Sequence, residues 1–259
     1  MPQVLAEILA RKREDLRRAQ SEVPESELRA MATRRQPPRD FALALRRARR
    51  PALIAEVKRA SPSKGALAAN LDAAALAVRY QQLGASAVSV LTEAAYFRGS
   101  LDDLAAVKSA VDLPVLRKDF LLEPYQIVES RAHGADAVLL IVSALGDDAL
   151  AEMLREARSL GMEALVEAHD AAEVEAAVRS GARVVGINNR DLRTFEVSLG
   201  TTERLRQLVP PGILVVSESG IAAPQHVANL RAWGVDAMLV GEALVTAPGL
   251  ARKMRELLS

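Results

Sequence analysis

Two hydrophobic textures meet at residue 51. Over residues 1–50 apolar positions recur at helical spacing: Val4, Leu5, Ile8, Leu9 and Leu16 make one stripe, and Phe41, Leu43 and Leu45 follow a break at Pro37 and Pro38. From Pro51 onward, short and almost continuous apolar runs alternate with longer amphipathic stretches. The runs cover 52–57, 85–91, 114–116, 137–142, 163–166, 183–187, 213–216 and 237–240. Helix-start signals open the stretches between them: Asp72 before 73–83, Ser100 before 101–111, Glu123 and Pro124 at 124–132, and Asp147 before 149–160. Asp170, Ser198 and Ala223–Pro224 open three more, and 243–258 reads as one closing helix. Gly84, Gly134, Gly161, Gly181 and Gly234 stand where each helix hands over to the next strand, the position at which glycine turns left-handed without cost.

The phrases "QLGASAVSVL", "AHGADAVLLI", "SLGMEALVEA", "RSGARVVGIN" and "AWGVDAMLVG" nearly repeat one another. A strand–loop–helix unit returning about eight times, at a period of roughly 20–35 residues, predicts an α/β fold closed as a (β/α)8 barrel. Strands apolar on both faces imply a sheet covered by helices. An open doubly wound sheet fits less well, since no strand is followed by a G-x-G-x-x-G loop. Residues 1–50 are expected as three short helices packed on the barrel, making 1–259 a single domain with eight βα units over 51–259.

Composition narrows the class. Half of the 259 residues are hydrophobic but only 3% are aromatic, so the core is aliphatic; with a net charge of +1 this excludes disorder. No apolar run approaches the roughly 20 residues of a membrane span. The absence of cysteine removes disulfides, thiolate metal sites and a cysteine nucleophile. The Arg-rich start lacks the apolar core of a signal peptide, so a cytoplasmic protein is expected. Residues 1–50 hold thirteen basic residues against seven acidic ones, but the signs are interspersed and no aromatics interleave. That is a solvated helix face, not a nucleic-acid surface, and neither a membrane nor an obligate protein partner is indicated.

Of 34 basic residues only six are lysine: Lys12, Lys58, Lys64, Lys108, Lys118 and Lys253. An amine can shift its pKa far enough to exchange protons near neutrality and a guanidinium cannot, so a chain this rich in arginine should keep lysine where an amine matters. Lys12, Lys108 and Lys253 fit exposed helix faces. Lys58 and Lys118 fall at strand ends, where barrel enzymes keep their chemistry. "AEVKRASPSKG" places Glu56 and Lys58 two apart on the first strand, hence on one side of it. "PVLRKDF" supplies Lys118 and Phe120, "ALVEAHD" Glu167, "GINNRDL" Asn188 and Arg190, "VVSESGI" Glu218, Ser219 and Gly220, and "LVGEAL" Gly241. A structural ion pair accounts for any one of these; a whole rim of them points to catalysis.

Gly220 and Gly241 follow the last two strands just before helices, the usual barrel phosphate site, with Ser61 or Ser63 as hydroxyl donors and Lys58 or Lys64 as a charge. A phosphorylated small-molecule substrate follows. His133, His169 and His226 are scattered, and no nucleophile elbow or H-E-x-x-H occurs. Glu56, Glu167 and Glu218 could hold Mg²⁺, but two lysines at the same mouth oppose a cation, so neither metal nor cofactor is expected. A Schiff-base aldolase on the same barrel is the alternative that would also want Lys118 at a strand end.

At these residues the chain resembles a known family. "IAEVKRASPSKG", "VLTEAAYFRGS", "LPVLRKDF", "LVEAHD", "GINNRDL" and "SESGI", in this order, are similar to indole-3-glycerol phosphate synthase in its monofunctional form. The resemblance implies a cofactor-free carboxy-lyase of tryptophan biosynthesis that closes 1-(2-carboxyphenylamino)-1-deoxyribulose 5-phosphate to indole-3-glycerol phosphate, CO₂ and water. It implies Lys118 as general acid and Glu167 as base. Lys58 would hold the substrate carboxylate or act as second acid, and Glu56 would position the lysines. Asn188, Glu218, Ser219 and Arg190 would line the pocket, with Phe97 and Phe120 against the substrate ring. Ser61, Gly220, Gly241 and the backbone N–H of Glu242 would meet the phosphate, the Glu242 side chain being turned away.

Overall fold

Alternate side chains along β1 (Ala52–Val57) go to different neighbours. Leu53, Ala55 and Val57 join the apolar layer beneath the surrounding helices, whereas Ala52 and Ile54 join a second cluster drawn from the other strands. The computed structural model describes residues 3–62, 64–68, 70–191 and 193–259; Ser63 and the side chain of Val4 lie outside the described residues. After β1 come β2 (Ala87–Leu91), β3 (Val115–Lys118), β4 (Ala137–Ile141), β5 (Glu163–Ala168), β6 (Val184–Asn188), β7 (Leu214–Glu218) and β8 (Ala237–Val240). All are parallel, each pairs with its sequence neighbours, and β8 returns to β1 with Ala52 opposite Ala237. The (β/α)8 barrel expected from the repeat is therefore the fold.

The inner cluster fills the barrel with Ile54, Leu116, Leu139, Leu165, Val216 and Leu239. Phe41 and Leu45 of α3 (Phe41–Arg47) belong to it and are fully buried, plugging the end at which the strands begin. The first helix is not short: α1 (Gln3–Glu22) runs 20 residues. Leu16 of α1 and Leu28 and Ala32 of α2 (Glu25–Thr33) pack on Tyr125, Val128 and Ala132 of the helix after β3. The Tyr125 hydroxyl donates to the carbonyls of Ala19 and Val23 at 3.0 and 2.9 Å, satisfying the end of α1.

Other boundaries differ locally from the sequence reading. The third strand continues to Lys118, so that residue belongs to the sheet. The helix after β6 starts at Gly200 with Leu199, not Ser198, at its cap. The closing stretch 243–258 splits into Glu242–Val245 and Leu250–Leu258. Pro248 stands in the gap, where it can neither donate an N–H nor continue the helix. Among the described residues no helix is long and apolar enough to cross a membrane.

The near-repeat of "AHGADAV" and "AWGVDAM" has a structural basis. Gly134 and Gly234 take φ of 92° and 71°, turning each helix into the next strand. Two residues on, Asp136 and Asp236 accept the backbone N–H of Val115 and Val215 at 2.8 and 2.9 Å, locking each strand to the one before it. Asp136 also takes the Arg39 N–H at 2.7 Å and Lys108 Nζ at 2.6 and 2.8 Å. Lys108 is thus no exposed bystander. Burial pulls its pKa below the ordinary lysine value, against the raising effect of Asp136.

Removing the Asp136 carboxylate strands two backbone donors and an ammonium at once. Asp136→Ala should cost about 3–5 kcal/mol in urea unfolding, the scale for breaking a buried pair from one side. A loss below about 1 kcal/mol would contradict that reading.

Candidate active site

Followed to the far end of the strands, the inward alternation changes from aliphatic to charged. Glu56 and Lys58 continue the inner row of β1, Lys118 that of β3, Glu167 that of β5, Asn188 that of β6 and Glu218 that of β7. They meet as a lattice. Lys118 Nζ lies 3.0 Å from Glu167 Oε2 and 3.0 Å from Glu218 Oε2, and Lys58 Nζ lies 2.6 Å from Glu56 Oε1. Asn188 Nδ2 donates to Glu167 Oε1 at 3.1 Å.

Two glycines make room for these carboxylates. A Cβ at Gly241 would collide with Glu56, and one at Gly186 with Glu218. Gly241 therefore has a steric role beside any ligand contact. Glu56, Glu167 and Glu218 converge, but with ammonium groups between them, so this oxygen set is committed to lysine and offers no cage for a cation.

The lattice forms the floor of a cavity of about 620 Å³. Its lining includes Glu56, Lys58, Ser61, Lys118, Glu167, Asn188, Arg190, Glu218, Ser219, Gly220, Gly241 and Glu242, with Phe97 and Phe120 on its wall. Phe97 and Phe120 form a ring pair, centroids 6.3 Å apart and tilted by 42°. Glu93 holds the Phe97 turn by accepting the backbone N–H groups of Ala95, Tyr96 and Phe97 at 2.7–3.0 Å. Phe195 also lines the cavity. On the opposite side Ser219 and Gly220 take consecutive left-handed conformations, φ 68° and 81°. Ser61, also in the lining, has its Oγ buried without a partner among the described residues, leaving a hydroxyl for a ligand. Arg190 folds back instead, donating its side chain to the Phe195 carbonyl at 3.1 Å.

The two carboxylates beside Lys118 are not equivalent. Burial penalises both. Glu167 accepts from Asn188 and has Lys118 and His169 beside it, and these two cations hold it far below the usual carboxylate range. Glu218 has only Lys118 against the repulsion of Glu167 and Glu56, and burial pushes it up to about 7. Burial alone would discharge Lys118, but Glu167, Glu218 and Glu56 outweigh it and keep the ammonium charged.

Several residues beside the site lie outside the set that the sequence reading singles out. Lys12 is not on a solvated face; its Nζ meets Asp119 at 2.6 Å. Asp119, next to Lys118, also accepts from Thr92 Oγ1 at 2.6 Å and from Arg117 at 3.1 Å, and is held at about 2. Asn189 ties β6 to β7, donating to the carbonyls of Glu218 and Ser219 at 2.9 and 3.0 Å. Its position is legible, since twin asparagines at a strand end must face opposite ways. His169 is not merely one of three scattered histidines, for it places Nε2 3.3 Å from Glu167 Oε1. Leu5 and Ile8 of α1 reach the cavity from a helix whose stripe does not reveal what it covers.

Comparison with known proteins places the chain in one family. The family model for indole-3-glycerol phosphate synthase matches residues 5–257. The indole-3-glycerol phosphate synthase of Roseiflexus sp. (strain RS-1) is 52% identical over 265 residues, covering 99% of this chain and 98% of the relative. That of Parafrankia sp. (strain EAN1pec) is 54% identical over 242 residues, covering 93% and 90%. Among solved structures, a thiamine phosphate pyrophosphorylase from Pyrococcus furiosus superposes with a TM-score of 0.61 at 17% identity, over 80% of this chain and 93% of that one, a likeness of fold alone.

The Glu218 carboxyl has a stability consequence. It titrates near 7 in the folded chain against about 4.5 ordinarily, so the folded state binds more protons across that interval and loses stability as pH rises through it. Glu218→Gln removes the loss. Its stability in urea should gain on the parent from pH 4.5 to 7 and keep the gain above 7; a pH-independent difference would contradict the assignment.

Proposed function

The chain belongs to the indole-3-glycerol phosphate synthase family, and from that premise we propose how its cavity performs the reaction. The reaction is the ring closure of 1-(2-carboxyphenylamino)-1-deoxyribulose 5-phosphate to indole-3-glycerol phosphate with loss of CO₂ and water, and the chain is a carboxy-lyase of tryptophan biosynthesis. The aldolase reading is not favoured. One observation carries the mechanism: a charged Lys118 held between two carboxylates of unequal basicity.

The substrate ring lies against Phe97 and Phe120, and its phosphate is met by Ser61, Gly220, Gly241 and the Glu242 backbone. This orientation presents the ribulose carbonyl to Lys118. As the ring carbon attacks, negative charge builds on the carbonyl oxygen and the ammonium stabilises it and gives up a proton. Lys58, positioned by Glu56, holds the substrate carboxylate until it departs as CO₂. The hydroxyl takes a proton from Lys58, freed by the departed carboxylate, and leaves as water, and loss of a ring proton to Glu167 then restores the aromatic indole.

Glu167 is a weak base while Lys118 is charged. Once the Lys118 proton has moved to substrate, the largest attraction that kept Glu167 low is gone, with that of His169 remaining, and the carboxylate becomes more basic for the later step. Acid and base are thus timed by one ion pair. Asn188, Glu218, Ser219 and Arg190 complete the pocket. We read α1–α3 and the barrel as one domain, since α1 supplies wall residues, and place the protein in the cytoplasm.

Indole fluorescence appearing from the carboxyphenylamino substrate provides the assay. Lys118→Ala and Glu167→Gln should each lower kcat by about 10²–10⁴-fold, the range for loss of a positioned acid or base. Near-parental turnover by both would refute these roles. Borohydride with substrate should trap no adduct; a covalent one would restore the aldolase reading.

A further inference from the structure

We infer that His169 is a positioning residue: clamped between Glu173 and Glu167, it stands as an imidazolium that keeps Glu167 ionised and aimed at Lys118. The inference rests on the reading of Glu167 as the base and deepens it.

The geometry starts from the turn after β5. Asp170 caps the helix Ala171–Arg179 through the N–H of Glu173, which places the Glu173 side chain beneath the turn. Glu173 Oε2 then accepts both the backbone N–H of His169, at 2.9 Å, and ring Nδ1, at 3.0 Å. The ring is fixed, and Nε2, buried without a hydrogen-bond partner among the described residues, stands 3.3 Å from Glu167 Oε1, within ion-pair reach. A neutral imidazole owns a single N–H. With a carboxylate on each nitrogen, either neutral tautomer would direct a lone pair at an anion. Only the doubly protonated ring turns positive charge, not a lone pair, toward both carboxylates.

The charged and titratable groups around it are Glu167 on its own strand, Glu173 on the following helix, and Lys118 of β3 beyond Glu167; the neutral Asn188 of β6 shares Glu167 Oε1. Burial alone would discharge the ring, but Glu167 and Glu173 reverse that and raise it to about 10. Charge then alternates along Glu173, His169, Glu167 and Lys118. A regiochemical consequence follows. Oε1 of Glu167 is engaged by His169 and Asn188, so Oε2, which faces Lys118, is the oxygen left to take a proton when Lys118 loses its own.

Two measurements on the full chain test this. Nitrogen-15 NMR of the ring should show both His169 nitrogens protonated at pH 7.5; a neutral tautomer there overturns the proposal, whatever the enzyme's activity. In the fluorescence assay, His169→Gln keeps a donor without the charge. It should lower kcat by about ten-fold with KM within about three-fold, and move the acid limb of the pH–rate profile up by about one unit. Glu173→Gln should bring a new loss of activity on the alkaline side, as His169 then deprotonates earlier. A His169→Gln profile superimposable on the parent's overturns the proposal. If the parent itself fails to turn over the substrate, the functional reading falls, while the NMR result still decides the charge of the ring.

Discussion

A side chain on a closed parallel barrel has two directions open to it, into the barrel or out to the helices, and the choice alternates at every residue. The chemistry of this chain hangs on that constraint. Arg117 and Lys118 are adjacent cations with unrelated work because of it. Arg117 faces outward, fully buried, and ties β3 to the next helix through Glu129 at 2.9 Å and to Asp119 at 3.1 Å. Lys118 faces inward, into the cavity. A slip of one residue would put a guanidinium, which cannot exchange protons, where the ammonium now stands.

Charge inside a barrel needs both space and partners. Space comes from Gly186 and Gly241, where any side chain would displace Glu218 or Glu56. Partners come from neighbouring strands, and their uneven supply is what differentiates the site. Glu167 has an ammonium, an amide and an imidazole around it; Glu218 shares the same ammonium and has little else. Two chemically identical carboxyls are driven apart, one ionised at any working pH and the other titrating near 7. Environment, not residue type, separates them.

Local regularities make much of this legible. Strand ends, the spacing of two between Glu56 and Lys58, and glycine after the last strands each follow from rules that act over a few residues. Pairings across long separations do not. Lys12 finds Asp119 107 residues away, and which way α1 docks is decided by Leu16, Leu28 and Tyr125 packing together, not by any motif near Lys12. Lys108 and Asp136 meet across a helix–strand crossover for the same reason. His169 stands between these cases. Its distance of four from Glu173 is a helix-turn spacing that begins one residue before the cap, and that offset hides it.

The two ends of the barrel divide stability from chemistry. Where the strands begin, Phe41 and Leu45 fill the interior and Asp136 and Asp236 lock neighbouring strands, each carboxylate satisfied by donors the backbone supplies. Where the strands end, like charges crowd together and Ser219 holds a left-handed conformation that disfavours a side chain. Helix α1 belongs to both regimes. Leu16 is core, Lys12 clamps the residue after Lys118, and Leu5 and Ile8 wall the cavity. Within twelve positions the helix passes from packing to electrostatics to ligand surface. Displacing α1 would therefore unlock the Asp119 cluster and open the cavity wall in the same movement, coupling substrate enclosure to the placement of the acid.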